Sequence, residues 1–129
     1  MGMAALEFGF VYILGALGYG ALELLWRGHT HWTMLLLGGA CFALMHLIVT
    51  RMRGHLWEKW LLCAASVTLL EFLAGCLLNR VLGWGVWDYS DAPGNLLGQV
   101  CPAYALAWLG LSIPCSGVSL ALRRWLFLL

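Results

Sequence analysis

The chain has 129 residues, of which 63% are hydrophobic and 10% are charged, and its formal net charge is +1. A soluble domain carries about 25% charged residues, so this composition excludes an ordinary soluble protein. The sequence has no cluster of basic residues of the kind that binds nucleic acid. The composition therefore predicts an integral membrane protein that contacts the lipid bilayer.

Long apolar runs divide the chain into four predicted spans. They cover residues 6–25, 32–50, 60–79 and 94–122, and a helix of about 20 residues crosses the bilayer core. The last span is too long for that core, so we expect Pro102 or Pro114 to kink the helix, or its end to turn along the interface. The predicted fold is all-α: one transmembrane domain over residues 1–129, folded as a four-helix bundle.

Tryptophans and basic residues fall near the predicted helix ends. One interface has Trp26, Trp32, Trp84 and Trp87, and the other has Trp57, Trp60 and Trp125, as in an aromatic belt. The basic residues divide into Arg51, Arg53, Lys59, Arg123 and Arg124 on one side and Arg27 and Arg80 on the other. Since cytoplasmic loops are richer in Lys and Arg, both termini are predicted to lie in the cytoplasm.

Two segments resemble an internal repeat. The sequence LLGGACFA at 36–43 and the sequence LLGQVCPA at 96–103 agree at five of eight positions. A repeat would make the chain two helical hairpins of the same orientation, as in some transporters. The alternative is chance similarity in a chain rich in Leu, Gly and Ala.

Most polar residues outside the cytoplasmic flanks are predicted to converge on the side opposite the termini. The candidate substrate- or ion-binding residues are Glu23, Arg27, Glu71, Asn79, Arg80, Trp87, Asp88, Tyr89, Asn95 and Gln99. Glu23 precedes Arg27 by four residues, a spacing that favours a helical ion pair. Asn95 and Gln99 have the same spacing and are predicted on one helix face. Together these residues are predicted to line an outward-facing cavity.

Glu71 lies far from the nearest predicted helix end. About nine residues, or about 13 Å of helix, separate it from Arg80, so it is predicted near the middle of the bilayer. A carboxylate there must be paired, protonated or exposed to water. It could couple proton movement, bind a cation or amine, or simply hydrogen-bond a neighbouring helix. Gly75 and Asn79 are predicted to continue its face outward.

The segment that follows the third span has its own helix-start signals. Ser90 or Asp91 could cap the fourth helix, with Pro93 in its first turn. The free N–H groups of that helix end could then hold an anionic group. The alternative is that nearby acids and bases pair with one another and lock the loops.

The sequence assigns no cofactor and no catalytic residue. His29 and His31 could form half of a metal site, but no further ligand is apparent, so no metal is predicted. The nucleotide-binding loop of the usual ATPases is absent from the sequence. An enzyme, if the chain were one, would use Glu71, Asp88 or a histidine as acid and base.

A larger resemblance covers most of the chain. The signature of the CmpB-like ABC-transporter type IV family of bacterial membrane permeases resembles the block WDYSDAPGNLLGQVC together with the preceding EFLAGCLLNRVLGWGV. The first half of the short members of that family resembles GYGALELLWRGHTHWTM with GGACF. The matching positions are Trp87, Asp88, Tyr89, Ser90, Pro93, Asn95, Gly98 and Cys101. Gly94 departs from the pattern, since an aromatic residue is common there. The resemblance implies a permease in the bacterial cytoplasmic membrane, without a known substrate.

We therefore expect a small membrane transporter or channel component with an outward-facing polar cavity. Four helices barely enclose a pathway, so a homo-oligomer or other membrane subunits are expected as partners. One alternative is an accessory subunit that binds a lipid or cofactor. A second alternative is a membrane-embedded enzyme.

Overall fold

The structure, a computed structural model, describes residues 2–127, with side chains described for residues 4–126. Within this range it contains four α-helices and no β-strand: α1 (Gly2–Arg27), α2 (Trp32–Arg51), α3 (Leu56–Gly75) and α4 (Pro102–Leu122). With the turns that extend two of them, all four are long and apolar enough to cross a membrane. The predicted all-α, four-helix membrane bundle is confirmed.

The connections place most of the loop residues at one end of the bundle. A π-helical turn extends α3 over Cys76–Val81, and another extends α4 over Arg123–Phe127. Residues 28–31 and residues 82–101 lie at one end, which we call the loop end. The opposite end of the bundle, which we call the terminal end, contains residues 52–55, the start of α1 and the end of α4.

The fourth helix begins at Pro102, not near Gly94 as the apolar pattern predicted. Residues 82–101 form an irregular segment of turns instead. The φ angles of Gly94, Leu97 and Gly98 are 72°, 54° and 73°. Left-handed residues of this kind interrupt a right-handed helix, so the apolar run cannot continue as one.

The predicted cap of the fourth helix is also wrong. Ser90, Asp91 and Pro93 lie well before α4, within the irregular segment. Cys101 precedes the helix, and Pro102 occupies its first turn. A proline is tolerated there because the first N–H groups of a helix have no intrahelical partner.

The two proline positions in the predicted fourth span have different roles. Pro102 stands at the helix start and therefore cannot kink it. Pro114 lies inside α4, and the helix continues through it to Leu122.

The two segments that look like a repeat differ in conformation. Residues 36–43 lie within α2, whereas residues 96–101 belong to the irregular segment. The helices do follow one another as two hairpins, α1–α2 and α3–α4. The similar stretches of sequence do not occupy equivalent structures in them.

Close packing of α1 against α2 depends on glycine. A Cβ atom added at Gly15 would lie 2.5 Å from Cβ of Phe42, and one added at Gly39 would lie 2.7 Å from Cε1 of Tyr12. The hydroxyl of Tyr12 also donates a 2.7 Å hydrogen bond to the carbonyl of Leu36. Small residues allow such close approach where lipid removes the hydrophobic drive for helices to associate.

The second helix is the centre of the bundle. Its buried side chains form one apolar cluster with buried side chains of α3: Cys41, Met45, Ile48, Val49, Cys63 and Val67. Trp108 and Cys115 of α4 pack against this cluster. The first helix packs mainly on α2, so a space remains between α1 and α4.

A buried polar cluster joins three helices near the terminal end. Nε2 of His46 lies 2.5 Å from Oε1 of Glu7, and Nδ1 of His46 lies 2.5 Å from the hydroxyl of Ser119. Nε of Arg123 donates a 3.0 Å hydrogen bond to the same carboxylate. Glu7, His46 and Ser119 are each at most 1% exposed. Since every member has a partner, the cluster fastens α1 and α2 to the end of α4.

Candidate functional site

A cavity of about 550 Å³ lies at the loop end. It is bounded by α1, α3, α4 and the irregular segment. Its charged lining is Glu23, Arg27, Glu71 and Asp88, and its aromatic lining is Tyr19, Trp26, Trp87, Tyr89, Tyr104 and Trp108. The cavity therefore includes six of the ten residues named from the sequence, and its wall is more aromatic than the sequence predicted.

Glu71 is the most deeply buried acid of the cavity. Its side chain is 3% exposed, and it lies one helical turn before the end of α3. The side chain of Trp108 is the polar neighbour of its carboxyl group. A carboxyl group inside a membrane bundle requires such a partner or contact with water.

Glu23 and Arg27 form the ion pair that their spacing predicts. Nη1 of Arg27 lies 3.4 Å from Oε1 of Glu23, whose side chain is 6% exposed. Nη2 of Arg27 also donates a 3.3 Å hydrogen bond to the carbonyl of Val86. The pair therefore holds the end of α1 against the irregular segment.

Two stacked aromatic pairs contribute to the cavity wall. The rings of Tyr19 and Trp108 lie 5.7 Å apart and are tilted by 16°, which joins α1 to α4. The rings of Tyr89 and Tyr104 lie 4.8 Å apart at 13°, which joins the irregular segment to α4. Both pairs are within the centroid distances at which aromatic rings attract one another.

The irregular segment is held on α3 by two amide side chains. Nδ2 of Asn79 donates a 2.8 Å hydrogen bond to Oε1 of Gln99, and its Oδ1 accepts one of 2.6 Å from the backbone N–H of Val86. The indole of Trp87 donates a 3.0 Å bond to the carbonyl of Gln99. Asn79 and Gln99, which the sequence predicts as binding residues, also hold the irregular segment in place through these bonds.

Trp87 differs from its predicted place in an aromatic belt. Its side chain is 4% exposed and packs against Gly75, where an added Cβ atom would lie 2.8 Å from the indole. The ring is therefore turned into the protein and away from lipid.

Asn95 and Arg80 also differ from expectation. Asn95 does not share a helix face with Gln99; its amide donates bonds of 3.1 Å and 2.9 Å to the carbonyls of Ser90 and Ala92 and so braces the segment internally. Arg80 is exposed outside the cavity, and its guanidinium forms no hydrogen bond or ion pair with the side chains described for residues 4–126.

Two groups at the cavity mouth have shifted acidities. The backbone N–H and the side chain of Ser90 bond the carboxylate of Asp88 and hold its pKa below the usual range. Burial raises the pKa of the Tyr89 phenol, and the nearby Glu71 carboxyl adds to this effect. At neutral pH the mouth therefore carries an ionised carboxylate beside a protonated phenol.

The two loop histidines are arranged differently from a metal site. Nδ1 of His31 accepts a 3.3 Å hydrogen bond from the backbone N–H of Thr33 and so caps α2. His29 is exposed. Among the described residues, no group of three His, Cys, Asp or Glu side chains is placed to hold a metal ion.

Sequence reasoning missed several cavity residues. Tyr19, Tyr104 and Trp108 read as ordinary apolar positions of their spans, yet all three line the cavity. Trp108 did carry a signal, because it falls in the middle of the predicted span 94–122, whereas the seven other tryptophans fall near span ends. The bond between Glu7 and His46 had no comparable signal in the sequence.

Comparison with known proteins places most of the chain in a sequence family. The sequence model of the family described as "Putative ABC-transporter type IV" matches residues 8–123. No curated protein and no solved structure matches the chain. The match extends from the first turns of α1 to the end of α4 and includes the cavity-lining residues named above.

Proposed function

We propose that the substrate of this protein binds in the cavity at the loop end. The chain belongs to the CmpB-like ABC-transporter type IV family and is a small membrane transporter component. The observation that carries the proposal is the position of Glu71. Its carboxyl group is buried in a membrane-spanning helix, yet it borders a cavity rather than a fully packed core. An acid retained at such a cost in the bilayer marks a substrate or ion pathway.

The other polar residues have distinct proposed roles. Glu23 and Arg27 of α1 position the substrate near the mouth, together with Asp88 and Tyr89 of the irregular segment. Asn79, Asn95 and Gln99 keep the irregular segment in place, as their hydrogen bonds suggest.

The proposed orientation has both termini in the cytoplasm of a bacterium. Five basic residues near the terminal end against two near the loop end support this orientation. The cavity would then open to the outside of the cytoplasmic membrane. Because α1 and α4 leave a space between them, a second copy or another membrane subunit would complete the pathway.

A liposome experiment tests the proposal with a mixture of candidate solutes. Liposomes that contain the purified protein are loaded with the small-molecule extract of bacterial cells, and solutes lost over time are identified by mass spectrometry. We expect at least one solute to leave wild-type liposomes and to stay in liposomes with Glu71→Gln. Glu58→Gln is the matched control, because Glu58 is exposed at the terminal end. Equal retention of every solute in all samples would contradict transport by this chain.

One observation favours a second candidate, a lipid-binding accessory subunit. An apolar groove adjoins the cavity between α1 and α4, where a lipid chain could lie. Such a subunit would retain a phospholipid during purification and would release no solute from liposomes.

A further inference from the structure

The apolar groove beside the cavity has a volume of about 380 Å³. It runs between α1 and α4 and borders α2, with walls that include Leu14, Met45, Pro114 and Val118. Its lining includes no charged side chain among the described residues. The groove therefore suits an apolar group and offers no charged partner to an ion.

The cavity and the groove are adjacent parts of one space. Tyr19 and Leu22 of α1, with Trp108 and Leu111 of α4, line both of them. The stacked rings of Tyr19 and Trp108 therefore stand at the boundary. A single molecule could place one end in the cavity and the other in the groove.

The cavity end of this space favours a positive charge. It has three carboxyl groups, those of Glu23, Glu71 and Asp88, against the single guanidinium of Arg27. Arg27 pairs with Glu23, which leaves the buried Glu71 without an ion-pair partner among the described residues. Six aromatic side chains line the same cavity as these acids. Aromatic faces attract organic cations, as in the cages that hold quaternary ammonium groups.

We propose that the cavity and groove together bind an amphipathic organic cation: its positively charged nitrogen lies between Glu71 and the aromatic rings, and its single apolar chain lies in the groove. This inference rests on the proposed function and names the substrate class of the same site. Both volumes fall within the about 300–1,000 Å³ of pockets for small molecules. The proposed occupant is a small molecule with one chain, and a phospholipid with two chains is the alternative that the experiment below separates from it.

Three probes separate the contributions of charge and chain. Binding of decyltrimethylammonium, tetramethylammonium and decanol is measured by equilibrium dialysis of the purified protein in dodecyl maltoside, with protein-free micelles subtracted. We expect decyltrimethylammonium to bind at least about tenfold more tightly than either the head or the chain alone, a difference of about 1.4 kcal/mol. Equal binding of decanol and decyltrimethylammonium would overturn the proposal.

Two variants place the charged head in the cavity. Glu71→Gln keeps the shape of the side chain and is expected to weaken decyltrimethylammonium binding by about tenfold or more, while decanol binding is unchanged. Trp108→Leu is expected to weaken it by about two- to thirtyfold through loss of the aromatic face. Glu58→Gln, the control, should bind as wild type does. Unchanged binding by a folded Glu71→Gln protein would overturn the proposed site.

The comparison of the three probes uses the wild-type protein alone, so it tests the proposed ligand class even if the Glu71→Gln protein is unstable. A co-purified phospholipid that decyltrimethylammonium cannot displace would identify lipid as the occupant and overturn the proposal. The liposome experiment separates the two hypotheses. If solutes leave wild-type liposomes but decyltrimethylammonium does not bind, the transporter function stands and the substrate class is wrong.

Discussion

Glu7 and His46 meet inside the bundle, with Oε1 of the acid 2.5 Å from Nε2 of the imidazole. The two residues belong to different helices, α1 and α2, and both side chains are almost completely buried. Arg123 and Ser119 complete the cluster from the end of α4. The bond lies near the terminal end, away from the cavity, so it bears on how the helices are held together rather than on binding.

Glu7→Leu tests the stabilising role of this cluster. The change leaves the His46 ring and the Arg123 guanidinium without their carboxylate partner. Removal of one member of a buried pair costs about 3–5 kcal/mol, so we expect a clearly lower thermal unfolding midpoint in detergent. The neighbouring Leu6→Ala, at a side chain 66% exposed, should change the midpoint little. Equal midpoints for both variants would show that the cluster contributes no stability.

Gly75→Ala should loosen the irregular segment from α3. The added Cβ atom would lie 2.6 Å from Oε1 of Gln99 and 2.8 Å from the ring of Trp87, so one of them must move. Overpacking of this kind costs about 1–3 kcal/mol. We expect faster protease cleavage within residues 82–101, measured by mass spectrometry of the fragments. Gly110→Ala is the matched control, because its added Cβ atom meets nothing within 4 Å.

Cysteine labelling tests the proposed orientation in the membrane. His29→Cys places a thiol in the loop at the loop end, and Met52→Cys places one at the terminal end. With both termini in the cytoplasm, a membrane-impermeant maleimide added to intact cells should label the first variant. The second should be labelled after the cells are permeabilised. The wild-type protein gives the background labelling of its five free cysteines. Labelling of Met52→Cys in intact cells, with His29→Cys labelled after permeabilisation, would show the opposite orientation.

Asp88 should keep the cavity mouth negatively charged in mildly acidic solution. Its pKa is lowered from the ordinary value of 3.8 because Ser90 bonds the ionised form. A carboxyl group with a lowered pKa stabilises the folded loop above its unfolded pKa, and this contribution disappears as pH falls through the lowered value. We therefore expect the same protease cleavage rate of residues 82–101 at pH 7 and pH 5. Asp88→Asn should raise that cleavage rate at both pH values. Faster cleavage of the wild-type protein at pH 5 than at pH 7 would contradict the lowered pKa of Asp88.

The sequence by itself determined the number of helices and most of their bounds. Apolar runs of about 20 residues must form helices in a bilayer, because lipid offers no partner for backbone N–H and C=O groups. The predicted spans 6–25, 32–50 and 60–79 lie within α1, α2 and α3 with the turn that follows it. The ion pair of Glu23 with Arg27 was also predictable, because it depends on local helical spacing.

Only the tertiary structure decided the start of α4 and the partners of the buried polar groups. The sequence pattern predicts a helix from Gly94, but Asn79, from the turn after α3, bonds Gln99 and helps to hold the segment in another conformation. Glu7 likewise finds His46 at a separation of 39 residues. Local periodicity specifies which face of a helix is polar. It cannot specify which distant side chain that face will meet, because helix packing decides those contacts.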